Sequence, residues 1–430
     1  MHANNRRLPL FVPKQDDERA EYPHLFNDQA AGMAREVAQP KWQTVLVKST
    51  LSALPIYLMM SDKMPSWIIH EIDSLRRIFL WSGKEQAVRG KNLVAWPAVC
   101  TPTSCGGLGI IDLRLSGFAL RVRWLWMQRT DEDRAWSSLP IKIEPEVQAL
   151  FDASVTVIVG NGLRTLFWLD NWMDGRSVRS IAPHLIQFIS PRISRKRTIA
   201  EALHQKRWIR DIQGGLSVAA LRDYVRLWHA LIGVTLSNEP DRFRWKWTSD
   251  GSYTASSAYR AMFIGTVSNP VIQRVWKSWA PLRVKFFTWL ALKSRLWTAD
   301  RRRRHSLDAH DPCWLCDQEA ETVDHLLVNC SFAKVIWWNL TSWMDCTCSF
   351  QGQFTLQSWW DYLRGIQGWD RRKGVDLLFM CIIWAIWKER NQRLFEGTSC
   401  TALELQDKIK MDINLWIHAG AQRLDCLKRE

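Results

Sequence analysis

Four side chains in the C-terminal third have the types and spacing to hold a metal ion: Cys313-x2-Cys316-x8-His325-x4-Cys330, three thiols and one imidazole within eighteen residues. Zinc takes four soft or borderline donors in a tetrahedron, and a two-residue gap lets both leading thiolates meet one ion from a single turn. Protein donors fill every position, so no place is left for a reacting water. The expected ion, Zn2+, is therefore structural, and its binding would supply on the order of 10 kcal/mol of folding free energy. The five-residue step from His325 to Cys330 is one too many for an ordinary helical repeat and requires local unwinding or a cap if Val323 to Phe332 is helical. His310, Cys346 and Cys348 are rival ligands nearby, and Asp324 is expected behind the ligands or on the surface. The competing reading is a set of ordinary buried cysteines beside a surface histidine.

A second set of residues could bind phosphate. Arg274 to Arg304 contains Arg274, Lys277, Arg283, Lys285, Lys293, Arg295 and the run Arg301 to Arg304, with only Asp300 opposing them. Trp276, Trp279, Phe286, Phe287, Trp289 and Trp297 are interleaved. Cations neutralise phosphates and exposed rings stack on unpaired bases, which together make a sequence-tolerant surface for single strands. Helical spacing, however, puts Leu282, Phe286, Trp289, Leu290 and Trp297 on one face of Pro281 to Trp297, so most rings belong to a core, and the cations of that helix form no stripe. The expected nucleic-acid contacts are Arg301, Arg302, Arg303 and Arg304, with Lys293 and Arg295.

The whole chain frames these sites. Its 430 residues exceed what one core usually serves. Hydrophobic residues at 47% and charged ones at 23% give the balance of a globular protein, and the 27 tryptophans must fill cores and half-exposed contact surfaces. A net charge of +15 points to a polyanionic partner, RNA or DNA. Ten cysteines are too sparse for a disulfide scaffold, which favours a reducing compartment. The N-terminus has no apolar stretch typical of a secretory signal, and the longest apolar run, Leu377 to Trp387, falls short of the roughly 20 residues that span a membrane. An intracellular protein is expected, in the nucleus more than the cytoplasm.

The elements that must position the sites can be traced along the chain. Helical spacing runs from Lys41 to Trp81, broken at Pro55 and Pro65, with Ile68, Ile72, Leu75, Ile78 and Phe79 as its clearest stripe. Cys105-Gly-Gly-Leu-Gly109 is a turn or close backbone approach; it lacks the Gly-Lys-Ser/Thr ending of a phosphate loop. Two hairpins are expected: one from Val155 to Trp172 around Gly160-Asn161-Gly162, and one from Phe243 turning at Asp250-Gly251 into Tyr253, with Ser256 capping a helix. Gly374 to Phe395 reads as a helix apolar on most faces with a basic tip, Lys388 to Arg393, and Ala402 to Ile417 as an amphipathic helix packed on it.

The segment from Val275 through Trp338, with Trp279, Pro281, Lys285-Phe-Phe-Thr-Trp289, Cys313-Trp-Leu-Cys316, Glu321-Thr-Val-Asp-His325-Leu-Leu and Cys330, resembles the zinc-binding domain C-terminal to plant LINE-type reverse transcriptases. The likeness extends to Lys48-Ser49, Leu54-Pro-Ile-Tyr57, Phe79-Leu-Trp81, Trp96, Gly106-Gly-Leu-Gly-Ile110 and Ala119-Leu120, to Gly160-Asn-Gly162 with Phe167-Trp-Leu-Asp-Asn-Trp172, and to Trp384-Ala-Ile-Trp-Lys-Glu-Arg-Asn391. Gly117 departs from the asparagine common before the Ala-Leu pair. Polymerisation needs a converging aspartate pair, and the sequence has no Tyr-x-Asp-Asp stretch; Asp16-Asp17 and Asp131-Glu-Asp133 sit in polar surroundings. The resemblance implies a non-catalytic, zinc-binding, nucleic-acid-binding remnant beginning after the catalytic core, working beside a reverse transcriptase. The alternatives are a zinc-stapled protein-interaction scaffold, or a transposon relic without selected function.

The expected fold is mainly α with small β-hairpins (α+β) and multi-domain, with a zinc-stapled helical module near the C-terminus. Its expected parts are a flexible lead-in (1–36), a helical thumb-like region (37–135), a mixed connecting region (136–262), a zinc-binding domain (263–345) and a C-terminal helical region (346–430).

Overall fold

The computed structural model describes residues 40–61, 63–82, 92–131, 142–306, 312–344, 346 and 348–427. The expected lead-in, residues 1–36, and the rival ligand His310 lie outside them. The chain is mainly helical, and the described residues form two small two-stranded sheets. The described residues divide into two compact units, one within residues 40–52, 70–111 and 266–427, the other within residues 53–69 and 112–265.

The first unit is built on the helix Arg372–Phe395, here called the spine. Val375 through Ile383, Ala385 and Ile386 are all buried, and so are Glu389 and Arg390 near its end. A helix apolar on nearly every face must be surrounded. Phe379 stacks on Trp360 at 4.6 Å, and Phe287 meets Trp384 edge to face at 5.1 Å. The neighbours of the spine are Leu282–Leu292, Ser331–Trp343, Leu356–Gly365 and Ala402–His418, the last beginning at a Thr401/Glu404 capping box. Both C-terminal helices thus follow the expected pattern. Trp289, Trp337, Trp359 and Trp360 are fully buried, which places these rings in the core, for Trp289 as its spacing implied. Among the described residues no helix is long and apolar enough to cross a membrane.

The glycine loop of this unit is structural. Its Leu108 and Gly109 amides donate to the carbonyls of Val99 and Thr101, and a Cβ on Gly107 would sit 2.0 Å from the Thr101 carbonyl oxygen. Trp289 Nε1 donates to Gly106 O at 3.0 Å, so the loop is a close backbone approach.

In the second unit the hairpins differ from expectation. Strand β1 (Val155–Ile158) turns back at no Asn-Gly; β2 (Asn171–Met173) and β3 (Arg176–Ser177) form the only short-range hairpin among the described residues, through Asp174 and Gly175, both at positive φ. Strand β4 (Arg242–Trp245) pairs antiparallel with β1, Val155 opposite Trp245. The competing interaction is a carboxylate: Asp241 accepts from the amides of Gly160 (2.8 Å), Gly162 (2.9 Å), Arg164 (3.0 Å) and Thr165 (3.1 Å) and from Thr165 Oγ1 (2.8 Å). Gly160-Asn-Gly162 therefore wraps an anion instead of closing a hairpin. After β4 the chain does turn at Gly251, whose carbonyl accepts from Trp245 N at 2.7 Å, but the helix that follows, Ala255–Ala261, is capped by Thr254 with Ser257, two residues earlier than the expected Ser256.

Candidate metal centre

Pro312 to Cys316 form a tight knuckle. The Cys313 amide donates to Glu319 O and Asp317 N to Cys313 O, both at 2.8 Å, with Asp317 in the left-handed region, while Leu315 N approaches Cys313 Sγ at 3.5 Å. The second pair of ligands comes from a wide helical turn, His325–Asn329, opened by Thr322, whose Oγ1 accepts from His325 N. In this turn Cys330 N donates to His325 O at 2.7 Å, a five-residue step. This is the unwinding that the His325-x4-Cys330 spacing demanded. Cys330 then starts the helix Ser331–Trp343, with its sulfur at the electropositive end. Val323 to Phe332 is accordingly two elements that meet at Cys330.

The four donor atoms of Cys313, Cys316, His325 and Cys330 lie within 4.8 Å of one another. Cys313 Sγ and Cys330 Sγ are 3.9 Å apart, and Cys316 Sγ is 3.3 Å from His325 Nε2. A tetrahedron with Zn–S bonds of about 2.3 Å has edges of about 3.8 Å, so these separations are those of ligands around one ion. Cys313, Cys330 and His325 are buried. Hydrogen bonding to Cys330 and then burial push the Cys313 thiol up to about 12; burial pulls His325 down, but bonds to Cys313 and Cys316 outweigh it and raise it to about 9. Thiols and imidazole are thus coupled through shared protons, which a divalent cation would displace. Glu319 Oε2 sits 3.1 Å from His325 Nδ1, near enough to hold the ring electrostatically but not in hydrogen-bonding alignment. Cys346 and Cys348 are buried elsewhere, Cys348 against Thr341 Oγ1 at 3.2 Å. Asp324 accepts from Leu356 N at 2.7 Å and so anchors the start of the next helix, behind the ligands.

The groups that hold the knuckle in place were missed in the sequence. The basic tip of the spine is no solvated cluster. Arg393 donates from Nη1 to the carbonyls of Trp314 (3.3 Å) and Leu315 (3.2 Å), the two residues between Cys313 and Cys316, and from Nη2 to Cys400 O. Glu389, 1% exposed, accepts from Arg393 Nε at 2.8 Å and from Cys400 N at 2.9 Å. Arg390 donates twice to Glu321, from Nη2 at 2.6 Å and Nε at 3.1 Å, with the glutamate fully buried. Glu321 also accepts from Ala299 N at 3.1 Å. A Glu389/Arg393 pair at i,i+4 was the available signal, but nothing local says where its free edge points.

The arginine run forms a short helix, Ala299–Arg304, and its members differ. Arg301 is 5% exposed, donates to Arg295 O and lies 4.3 Å over the Trp297 ring. Its guanidinium is thus engaged within the fold, in a run expected to contact phosphates from Arg301 to Arg304. Arg304 pairs with Asp300, Arg303 and Arg295 are exposed, and Arg302 is half-buried. Lys293 lies 5.6 Å over Trp289, its ammonium lowered by burial and then by Arg295. The helix expected to reach Trp297 ends at Leu292, where Ser294 takes a positive φ.

Comparison with known proteins meets this geometry. Residues 253–337 match the family model described as zinc-binding in reverse transcriptase. Its segment contains all four ligands and Glu321, but not Glu389, Arg390 or Arg393. A curated Arabidopsis thaliana protein, provisionally named a ribonuclease H protein, is 26% identical over 404 residues. The alignment covers 85% of this chain and 62% of that protein, so the chain spans about three fifths of the relative's length.

Proposed function

We propose that the chain is a zinc-stapled, nucleic-acid-binding part of a LINE-type retrotransposon reverse transcriptase protein, and that it acts by binding rather than by catalysis. The observation that carries this reading is the closed Cys3His cluster, locked from behind by Arg393 and by the Glu321–Arg390 pair, within a segment matching a reverse transcriptase zinc-binding family. Cys313, Cys316, His325 and Cys330 would hold the ion, which supplies a structural cross-link. Trp314 and Leu315 present their carbonyls to Arg393, so the ion and the spine fix one another's position.

Among the described residues, the acidic side chains that are buried are committed to the fold. Glu321 and Glu389 hold arginines, Asp376 is paired with Arg364 and Trp360, Asp211 with Arg197 and Trp168, and Asp241 with backbone amides. The proposed role is binding of RNA or DNA beside a polymerase active centre elsewhere, in the nucleus. The net charge of +15 supplies the attraction.

Zinc analysis of the purified, reduced chain combined with oligonucleotide binding over a salt series tests the proposal. One zinc per chain and an affinity that falls steeply with salt are expected. Absence of stoichiometric zinc, or an affinity indifferent to salt, would overturn it.

A further inference from the structure

The arginine run drew attention in the sequence, but the denser unpaired charge lies in a cleft of about 560 Å³ that contains none of it. Helices Pro270–Lys277 and Leu356–Gly365, the first turns of the spine and the short helix Gln422–Asp425 contribute its walls. Five cations line it: Arg274, Lys277, Arg364, Lys373 and Arg423. The one acid in the lining is Asp376.

The five divide into two kinds. Arg274 is fixed by Asp361 at 2.6 Å and lies 5.2 Å over the Trp360 ring, while Arg364 is fixed by Asp376 and the Arg372 carbonyl. Both acids are thereby used. Lys277, Lys373 and Arg423 are exposed and have no ion-pair partner among the described residues. Three like charges facing one concavity repel, and the low-dielectric walls concentrate their field, so the cleft favours an anion that can meet several of them together. Its volume lies within the range of about 300–1,000 Å³ typical of ligand clefts. Trp279 also lines it, 43% exposed, a large flat ring held at the edge of a basic site.

We propose that this cleft is the principal contact for the phosphodiester backbone of single-stranded nucleic acid, with Lys277, Lys373 and Arg423 on successive phosphates and Trp279 stacking on an unpaired base. It rests on the nucleic-acid reading given above and says where that binding occurs. Arg274 and Arg364, already packed and paired, keep the walls in place. The three exposed cations supply the salt-sensitive attraction, and the ring favours unpaired over duplex strands.

Fluorescence anisotropy with labelled single-stranded and duplex oligonucleotides, using the full chain, provides the test. Lys277→Ala/Lys373→Ala/Arg423→Ala should weaken single-strand binding roughly tenfold or more and reduce the slope of log affinity against log salt by about 2, since each phosphate contact contributes about 0.7 on a single strand. Trp279→Ala should narrow the gap between single and duplex strands. Arg302→Ala/Arg303→Ala/Arg304→Ala should have the smaller effect. All these side chains are exposed except the half-buried Arg302, and unchanged zinc content and melting temperature confirm that each variant is folded. Wild-type affinity and slope in the cleft variant would overturn the cleft while leaving the nucleic-acid reading intact. Failure of the wild-type chain to bind either oligonucleotide would overturn both. Displacement of the oligonucleotide by inorganic phosphate or by polyglutamate at comparable charge concentration would also overturn the assignment, in favour of a small-anion or acidic-protein site.

Discussion

At the scale of residues, the centre depends on side chains distant in sequence from the ligands. Arg393 reaches the Trp314 carbonyl from 79 positions away, and a group that orients metal ligands typically controls 10–100-fold of affinity. Arg393→Ala should therefore lose zinc to a chromogenic chelator roughly tenfold more readily than the wild type; equal retention would show that the knuckle holds itself. Glu321 and Arg390 are both shielded from water, so Arg390→Ala strands a buried carboxylate at a cost of about 3–5 kcal/mol in urea unfolding, whereas Glu321→Leu/Arg390→Met should recover most of it. Asp241 gives a pH signature. Burial opposes its charge, but the amides of Gly160 and Gly162, the Thr165 hydroxyl and the Arg164 amide outweigh this and hold its pKa below the usual carboxylate value. A depressed folded pKa means stability that is fully present above the unfolded value of about 3.9 and is lost as pH falls through the folded value. The destabilisation caused by Asp241→Asn should accordingly be large at pH 7 and shrink below about pH 4. The ligand quartet was readable because metal ligands sit close in sequence. Arg393, Glu389 and Asp241 were not, because a charged side chain shows its type but not the distant carbonyl or amide it will meet.

At the scale of elements, the spacing of the second pair of candidate ligands is the most exact requirement. His325 and Cys330 meet in one cluster because the turn between them is one residue wider than an α-turn. Deleting Val328 would convert it to an ordinary turn and rotate one ligand by about 100° relative to the other. Loss of stoichiometric zinc is expected, with far-UV circular dichroism showing whether the surrounding helices persist. The sequence contained this requirement as a mismatch between a five-residue step and a 3.6-residue period. The spine and the helix Ala402–His418 were equally legible, since each carries its own pattern. Strand β4 was not, because it pairs with β1 across more than eighty residues and its apparent turn at Gly251 gave a local alternative. A similar close approach occurs where Gly374 of the spine meets the C-terminal turn, a Cβ there falling 2.2 Å from Arg423 O. Gly374→Ala should lower the melting temperature by displacing that turn, and with it Arg423 of the basic cleft.

At the scale of the whole molecule, two compact units share a chain but only one contains the cluster. Hydrogen exchange after chelation should show protection lost first around 312–344 and the spine, with residues 145–231 of the second unit less affected; simultaneous loss throughout would mean that the units unfold as one. Composition made the basic, tryptophan-rich character plain, and the structure divides it: Trp289, Trp337, Trp359 and Trp360 in the core, Trp279 at the edge of a cationic cleft. Net charge has no address in a sequence, which is why the arginine run looked more important than Lys277, Lys373 and Arg423, brought together from three distant segments. The central claim is that one zinc ion joins the knuckle to the wide turn. X-ray absorption at the zinc edge on the purified, reduced chain measures it directly. Three sulfurs at about 2.3 Å and one nitrogen at about 2.0–2.1 Å, at one zinc per chain, are expected. A shell of oxygen and nitrogen alone, or substoichiometric metal, would contradict it.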